Sequence, residues 1–409
     1  MMHGNRPSPV QSTSAITEVL VTTTLIQVMA TATMLALAPI AAHAASDFGV
    51  SPHAIGYQIS LIYLFGAAGS AFTGSLVARL GPVRVEQLAL VLFAAGLLAL
   101  ATAHLLAGAL GSALIGVGYG LQNPASSQIL SRIAPAHRRN MIFSIKQAGV
   151  PVGGALASIG FPLLDKATGW QTGFALLAIA PIGLCLLLER HARDHAPGAE
   201  TTVATNWLRS ALAGQKMALR GPFLPLSLLS LLYSSVQLTV SAFVVLMLVE
   251  DRGWSLAAAA ATAALVQVAG ACGRVLWGIL GDRLRHGMIV LAAIGAICTL
   301  ALLALWATPA MPAPLLVAVL CTLGATASGW NGVAMAEMAR HCAPHEAGSV
   351  IGAILVYTFI GVVVGPSAFS ALYGHIGAYG HTFALFGLAS GIGCVLAFAA
   401  AVRQRPRPS

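Results

Sequence analysis

The sequence predicts an all-α membrane protein: twelve transmembrane helices in two six-helix, pseudo-symmetric bundles. Three observations predict it. Of 409 residues, 57% are apolar and only 8% are charged, against about 25% charged in ordinary soluble domains. Twelve apolar runs are each long enough to cross a bilayer, which takes about 20 helical residues. A polar stretch at 190–221 divides six runs from six, and short motifs recur in the same order on both sides of it. The expected division is therefore an N-terminal bundle over 1–189, a linker over 190–221 and a C-terminal bundle over 222–409.

The runs fall at 15–41, 54–77, 85–104, 107–131, 140–163, 170–189, 222–249, 256–281, 288–307, 313–338, 347–372 and 380–402. The first run ends in "MLALAPIAAHAASDF" (34–48), an apolar stretch followed by a signal-peptidase-like A-x-A. The segment before it is long and nearly uncharged and holds Glu18, so it reads as a span. The second and third runs flank a basic turn with Arg79 and Arg84. The fourth carries Gln122 and Asn123, and the fifth is glycine-rich but contains Lys146. After the sixth run and the linker, the seventh shows a polar stripe of Ser230, Tyr233, Ser234, Gln237 and Ser241 at i, i+3, i+4, i+7 and i+11. The eighth contains Arg274, the ninth is uniformly apolar, and the tenth holds Trp330, Asn331 and Glu337. The eleventh repeats the glycine pattern of the fifth, and the twelfth leads into a basic tail.

Charge gives the topology. With the termini and even-numbered loops on one side, 17 of the 21 Lys and Arg lie there, and only Lys166 and Arg252 lie opposite. The positive-inside rule then places both termini in the cytoplasm, and the net charge of +9 is topology rather than a nucleic-acid footprint. The six cysteines form no C-x-x-C pair and the twelve histidines show no ligand spacing. No metal and no cofactor is expected. There is no nucleotide-binding glycine loop and no acid/base pair in a loop domain, so an enzyme is not expected either.

Three echoes relate the halves. "GSLVARLG" (74–81) aligns with "GILGDRLR" (278–285), "GVPVGG" (149–154) with "GVVVGP" (361–366), and "GLQNPASSQILSRIAP" (120–135) with "GWNGVAMAEMARHCAP" (329–344). On these residues the chain resembles the major facilitator superfamily over essentially its whole length. That family's G-x-L-a-D-R-x-G-R-K signature is matched in the first copy by Gly74, Leu76, Arg79, Gly81 and Arg84, with Ala78 in place of the Asp. The second copy keeps Gly278, Asp282 and Arg283, with Arg285 at the second glycine position. The resemblance implies the major facilitator fold, alternating access between the halves, and gating by Arg79, Asp282 and Arg283; Glu337, three residues from Arg340 and so near the cytoplasmic interface, is expected to join the gate by tethering a buried cation when it closes. It implies an Asp latch that holds the outward-open state, expected here in the second copy. "GVPVGG" is similar to the helix 5 signature often associated with exporters, and small residues for close packing account for it as well.

The resemblance also implies that helices 1, 4, 7 and 10 line a central cavity. The candidates for its wall are Gln27 and Thr31, together with Thr24, on helix 1, and Gln122 and Asn123 on helix 4. Tyr233, Gln237 and Ser241 follow on helix 7, and Trp330 and Asn331 on helix 10. Two buried cations join them. Lys146 is about 10 Å past the basic loop at Arg139 and Arg274 about 12 Å inside Asp282, at 1.5 Å per residue. A charge in a membrane helix costs about 2.5–3.5 kcal/mol on insertion scales. The Asp residues and most Glu residues lie in loops or at helix ends, with Glu18 and Glu337 the nearest exceptions. A bound anion would offset the two cations. Arg274 within "GR…G…DR" also looks like the monocarboxylate and oxalate/formate branches, although the lysine of the oxalate branch lies on helix 11, which has none here.

The expectation is a secondary transporter of a small organic anion, monocarboxylate-like and open to coupling with protons through Glu337 or Lys146. It is expected to act as a monomer in the lipid bilayer of the bacterial inner membrane. The alternative is efflux of drugs or amphiphiles.

Overall fold

The computed structural model describes residues 13–50, 54–194 and 207–403. Among them are sixteen α-helices and no strand. The first half contains α1 (Thr13–Met34), α2 (Ala41–Asp47), α3 (Ala54–Leu80), α4 (Pro82–Ala101), α5 (Leu105–Ile133), α6 (Arg139–Thr168), α7 (Trp170–Leu177) and α8 (Ile179–Asp194). The short α9 (Trp207–Ala218) follows within the linker. The second half contains α10 (Phe223–Glu250), α11 (Leu256–Leu284), α12 (Gly287–Ala304), α13 (Ala313–Ala327), α14 (Trp330–Arg340), α15 (Ala347–Ile376) and α16 (Tyr379–Arg403). Twelve segments are long and apolar enough to span a membrane; α7 and α8 share the sixth, and α13 and α14 share the tenth.

Local chemistry sets the helix ends. Gly81, at φ +80°, reverses the chain between α3 and α4 in a single residue, a conformation that costs glycine nothing. Helix α4 therefore starts at Pro82, three residues before the expected 85. Ser255 caps α11 through Ala258 N (3.3 Å), and the Asp251 carboxylate caps α16 by accepting from Tyr379 N (3.2 Å) and Gly380 N (2.7 Å). Such caps satisfy orphan amides and oppose the positive helix end.

The tenth span breaks at residues 328–329. Gly329 N bonds Thr326 O (3.1 Å) instead of Ala325 O, and the freed Ala325 carbonyl accepts Trp277 Nε1 from α11 (3.0 Å). A backbone group released inside a membrane protein needs such a partner.

On the face away from the termini, the α1–α3 connection is tied to the ends of α6 and α7. His43 Nδ1 lies 2.9 Å from an Asp165 carboxylate oxygen. Asp47 accepts from Trp170 Nε1 (2.7 Å) and Gln171 Nε2 (2.8 Å). The hydrogen bond and charge of Asp165 raise the exposed His43 imidazole above its ordinary pKa. Arg252 closes the α13 approach by donating to Thr308 O, Pro309 O and Met311 O (2.7–3.0 Å).

The halves meet where α3 packs on α15 and where α6 packs on α11 and α14. Gly278 and Gly281 of α11 lie against Asn140 and Ser144 of α6; a side chain at either glycine would separate the helices. The linker is not only a polar tether. Its helix α9 packs on α3 and α15, with Gln215 Nε2 donating to Ala353 O (3.3 Å).

Candidate functional site

A cavity of about 330 Å³ lies between the halves. Thr31 (α1), Asn123 (α5), Gln237 and Ser241 (α10), Arg274 (α11) and Asn331 (α14) line it, and so do Gln147, Gln267, Ser234 and Ser328. Three rings complete one wall: Tyr63 and Tyr119 each lie 6.1 Å from Phe359, centroid to centroid.

Arg274 reaches the cavity from the second half and is almost fully buried. Its Nη1 donates to Gln147 O in the first half (2.6 Å). That carbonyl is available because Pro151, four residues on, has no N–H to give it. Proline thus creates the acceptor that ties the arginine across the interface. The Arg274 Nε is buried without a hydrogen-bond partner, so the guanidinium holds donor capacity unused beside the cavity.

Six of the expected wall residues do not line it, among them Thr24, whose hydroxyl donates to Leu20 O of its own helix (2.6 Å). Lys146 is fully buried and its Nζ donates to Asn123 Oδ1, which also accepts from Gln147 Nε2 (3.0 Å). Asn123, not the lysine, faces the cavity. Gln27 is turned to Thr31 (3.5 Å) under Gly149. Gln122 is turned to Glu86 and Ser126. Tyr233 faces α12 and α16: its hydroxyl donates to Leu291 O (2.9 Å) and its ring fits against Gly295 and Gly393. At about 100° per residue it sits on the edge of the polar stripe, not at its centre. Trp330 stacks edge-on with Tyr233 and positions the wall: its Nε1 and Asn331 Nδ2 donate to Gln237 Oε1 (3.1 and 2.9 Å).

The expectation that no carboxylate accompanies the cations needs correction. Glu86 of α4 is fully buried and accepts from Gln122 Nε2 (3.4 Å), the α5 neighbour of the Asn123 that holds Lys146. It reads as a helix-end residue only if α4 begins at 85; with the Gly81 reversal it lies a full turn inside. The signal available in the sequence is the tight Gly-Pro that precedes it.

Among the gating candidates, Asp282 at the end of α11 accepts from Asn140 N, Asn140 Nδ2 and Met141 N (2.8–2.9 Å), capping α6 across the halves. Glu337 is buried on α14 and pairs with Arg340 (3.3 Å), not with Lys146 or Arg274. Arg283 is exposed and Arg79 is partly buried beside the α3–α4 turn. On the first half, where Ala78 offers no carboxylate, Gln128 Oε1 accepts Gly348 N at the start of α15 (2.9 Å). With Ser131 Oγ on Pro344 O (3.0 Å), these contacts close the face that carries the termini. Among the described residues, no group of three or more metal-ligating side chains occurs.

The family model for the Major Facilitator Superfamily matches residues 23–366. Over 247 residues the chain is 28% identical to the 3-(3-hydroxy-phenyl)propionate transporter of Escherichia coli (strain K12); the match spans 59% of this chain and 59% of that relative. The fold is similar to that of the proton:xylose symporter XylE (TM-score 0.76, 18% identity, 95% of this chain and 96% of the other). It is equally similar to that of the human organic anion transporter MFSD10 (TM-score 0.76, 16% identity, 95% and 100% covered).

Proposed function

The chain belongs to the Major Facilitator Superfamily and is a membrane transporter rather than an enzyme, and we propose that it carries a small organic anion bearing an aromatic ring, by alternating access. One observation carries the reading: Arg274, whose Nε has no hydrogen-bond partner, lines the same cavity as Tyr63, Tyr119 and Phe359. A guanidinium suits a carboxylate through its fork of donors, and aromatic walls favour offset or edge-on contact with another ring. The amides of Asn123, Gln237 and Asn331 supply hydrogen bonds for ring substituents. The α14 helix begins at this depth, and its N-terminal end adds a favourable field for an anion. The partial match to a hydroxyphenylpropionate transporter supports the same chemistry.

The reading extends to orientation. The bias of basic residues supports a cytoplasmic terminal face in the bacterial inner membrane. The closed terminal face then makes this an outward-facing conformation, held by the Asp282 cap. One chain supplies the whole cavity, which supports a working monomer.

Uptake of phenylpropionate-like acids into proteoliposomes tests it. Losing one charge-assisted hydrogen bond costs about 1.5–3 kcal/mol. Arg274→Gln is therefore expected to weaken carboxylate binding roughly ten- to hundredfold in a protein that still elutes as a folded monomer. Unchanged uptake, or binding of neutral amphiphiles in preference to acids, would favour the efflux reading instead.

A further inference from the structure

A second cavity, of about 240 Å³, lies at the end of the first half away from the termini, between the starts of α3 and α5 and the end of α4. Phe48 from the α1–α3 connection, Leu61 of α3, Leu100 of α4 and Leu105 of α5 form much of its wall. Two polar side chains interrupt the apolar lining, Gln58 of α3 and Ser112 of α5. The serine hydroxyl donates to Gly108 O of its own helix (2.8 Å). Gln58 is different. Neither its Nε2 nor its Oε1 has a hydrogen-bond partner among the described residues, and both atoms are shut off from solvent. An amide in this state forfeits hydrogen bonds that it keeps in water.

We infer that this cavity is a second ligand site, for a small apolar molecule headed by a primary amide. Such a head is donor and acceptor at once. It pairs both polar atoms of the Gln58 side chain through two hydrogen bonds side by side, while the body of the molecule takes the apolar wall. Water suits the place less well, because a buried water makes about three hydrogen bonds and apolar cavities stay dry. An ionised carboxylate suits it worse still: it brings no donor for Gln58 Oε1, and the lining holds no charged side chain. The wall is held in shape. Phe48 stacks at a tilt on Trp170 (centroids 5.5 Å apart) and lies over Gly108, where a side chain would displace its ring.

The site is separate from the cavity between the halves. The two linings share no residue, and every residue of this one belongs to the first half. It therefore persists whichever way the halves are tilted, and it stands whether or not the central cavity takes an anion. Entry is sideways. Leu105 and Ala109 belong to the lining and are exposed on the outside of α5, where a spanning helix meets lipid. A molecule dissolved in the leaflet away from the terminal face reaches Gln58 without passing through the central cavity.

Thermal unfolding of the purified full chain at fixed detergent concentration tests this, with 3-phenylpropionamide and propylbenzene as probes. The first carries the amide head and the second keeps the apolar body alone. The amide is expected to raise the melting temperature saturably. The preference for the amide over propylbenzene is expected to be roughly tenfold greater in the wild type than in Gln58→Leu, as two neutral hydrogen bonds require. Without a probe, Gln58→Leu is expected to melt no lower than the wild type, since it removes an unpaired buried amide. Ala109→Phe, which fills the mouth from the lipid side, is expected to abolish saturable stabilisation, and Arg274→Gln to leave it intact. Equal preference in the wild type and Gln58→Leu overturns the inference, and so does the absence of a saturable effect of the amide. Loss of the effect in Arg274→Gln also overturns it, by placing the probe in the central cavity, whereas loss of anion uptake in that variant bears on the anion reading alone. Should Gln58→Leu not fold, stabilisation retained in Ala109→Phe overturns the inference and its loss there, with retention in Arg274→Gln, upholds it.

Discussion

Tyr233 and Gln237 are one turn apart on α10 and serve different surfaces. The tyrosine hydroxyl is a buried strut to Leu291 O, while the glutamine is held by Trp330 and Asn331 at the cavity wall. Tyr233→Phe is therefore expected to lower stability by about 0.5–1.5 kcal/mol, the worth of one neutral hydrogen bond, and to leave transport intact. Gln237→Leu is expected to impair transport with little change in melting temperature. Thermal unfolding and uptake, measured on both variants, check the pair. At this scale the charges of Lys146 and Arg274 were legible, because ionisable residues stand out in apolar runs. Their partners were not. The Arg274 acceptor is a main-chain oxygen, and the Glu86 position depends on a helix boundary misplaced by three residues, nearly one turn.

Helix boundaries otherwise followed from apolar length, and all twelve spans fall close to the runs read from the sequence. The break between α13 and α14 was not legible, since the partner that satisfies its freed carbonyl, Trp277, is on another helix. The ends of α3 and α11 make a telling contrast. The α3 helix is followed by Gly81 at φ +80°, an extended backbone open to glycine, and α11 ends in Arg285 in the left-handed conformation at φ +53°. A left-handed backbone costs a non-glycine residue about 1–2 kcal/mol. Arg285→Gly, which restores the pattern of the first copy, is expected to raise stability by about 1 kcal/mol, read as a higher unfolding midpoint in denaturant. A neutral or lower midpoint would mean that the freedom glycine adds to the unfolded chain outweighs the strain it relieves.

Across the whole molecule the two halves close the terminal face by unequal means. Asp282 caps α6 with two charged oxygens and three donors, while Gln128 caps α15 with one neutral oxygen. The duplicated motifs made the two halves legible, and the loss of the acid at Ala78 pointed to this inequality; that Gln128 fills the gap required the packing of α5 on α15. Asp282→Asn removes charge and one acceptor. It is expected to cost the closed face about 1–2 kcal/mol, raising the population open at the terminal face roughly five- to thirtyfold, as reported by spin-label distances across that face. An unchanged distance distribution would place the latch elsewhere. The bond from Arg274 to Gln147 O has a different consequence for how such an interface drifts over generations. No replacement of the side chain at 147 can remove a main-chain oxygen, and any residue but proline at 151 supplies an N–H that competes for it. The bond that joins the halves at the cavity is thus insured against change at the position it touches, and exposed to change at a position one turn away that it never contacts.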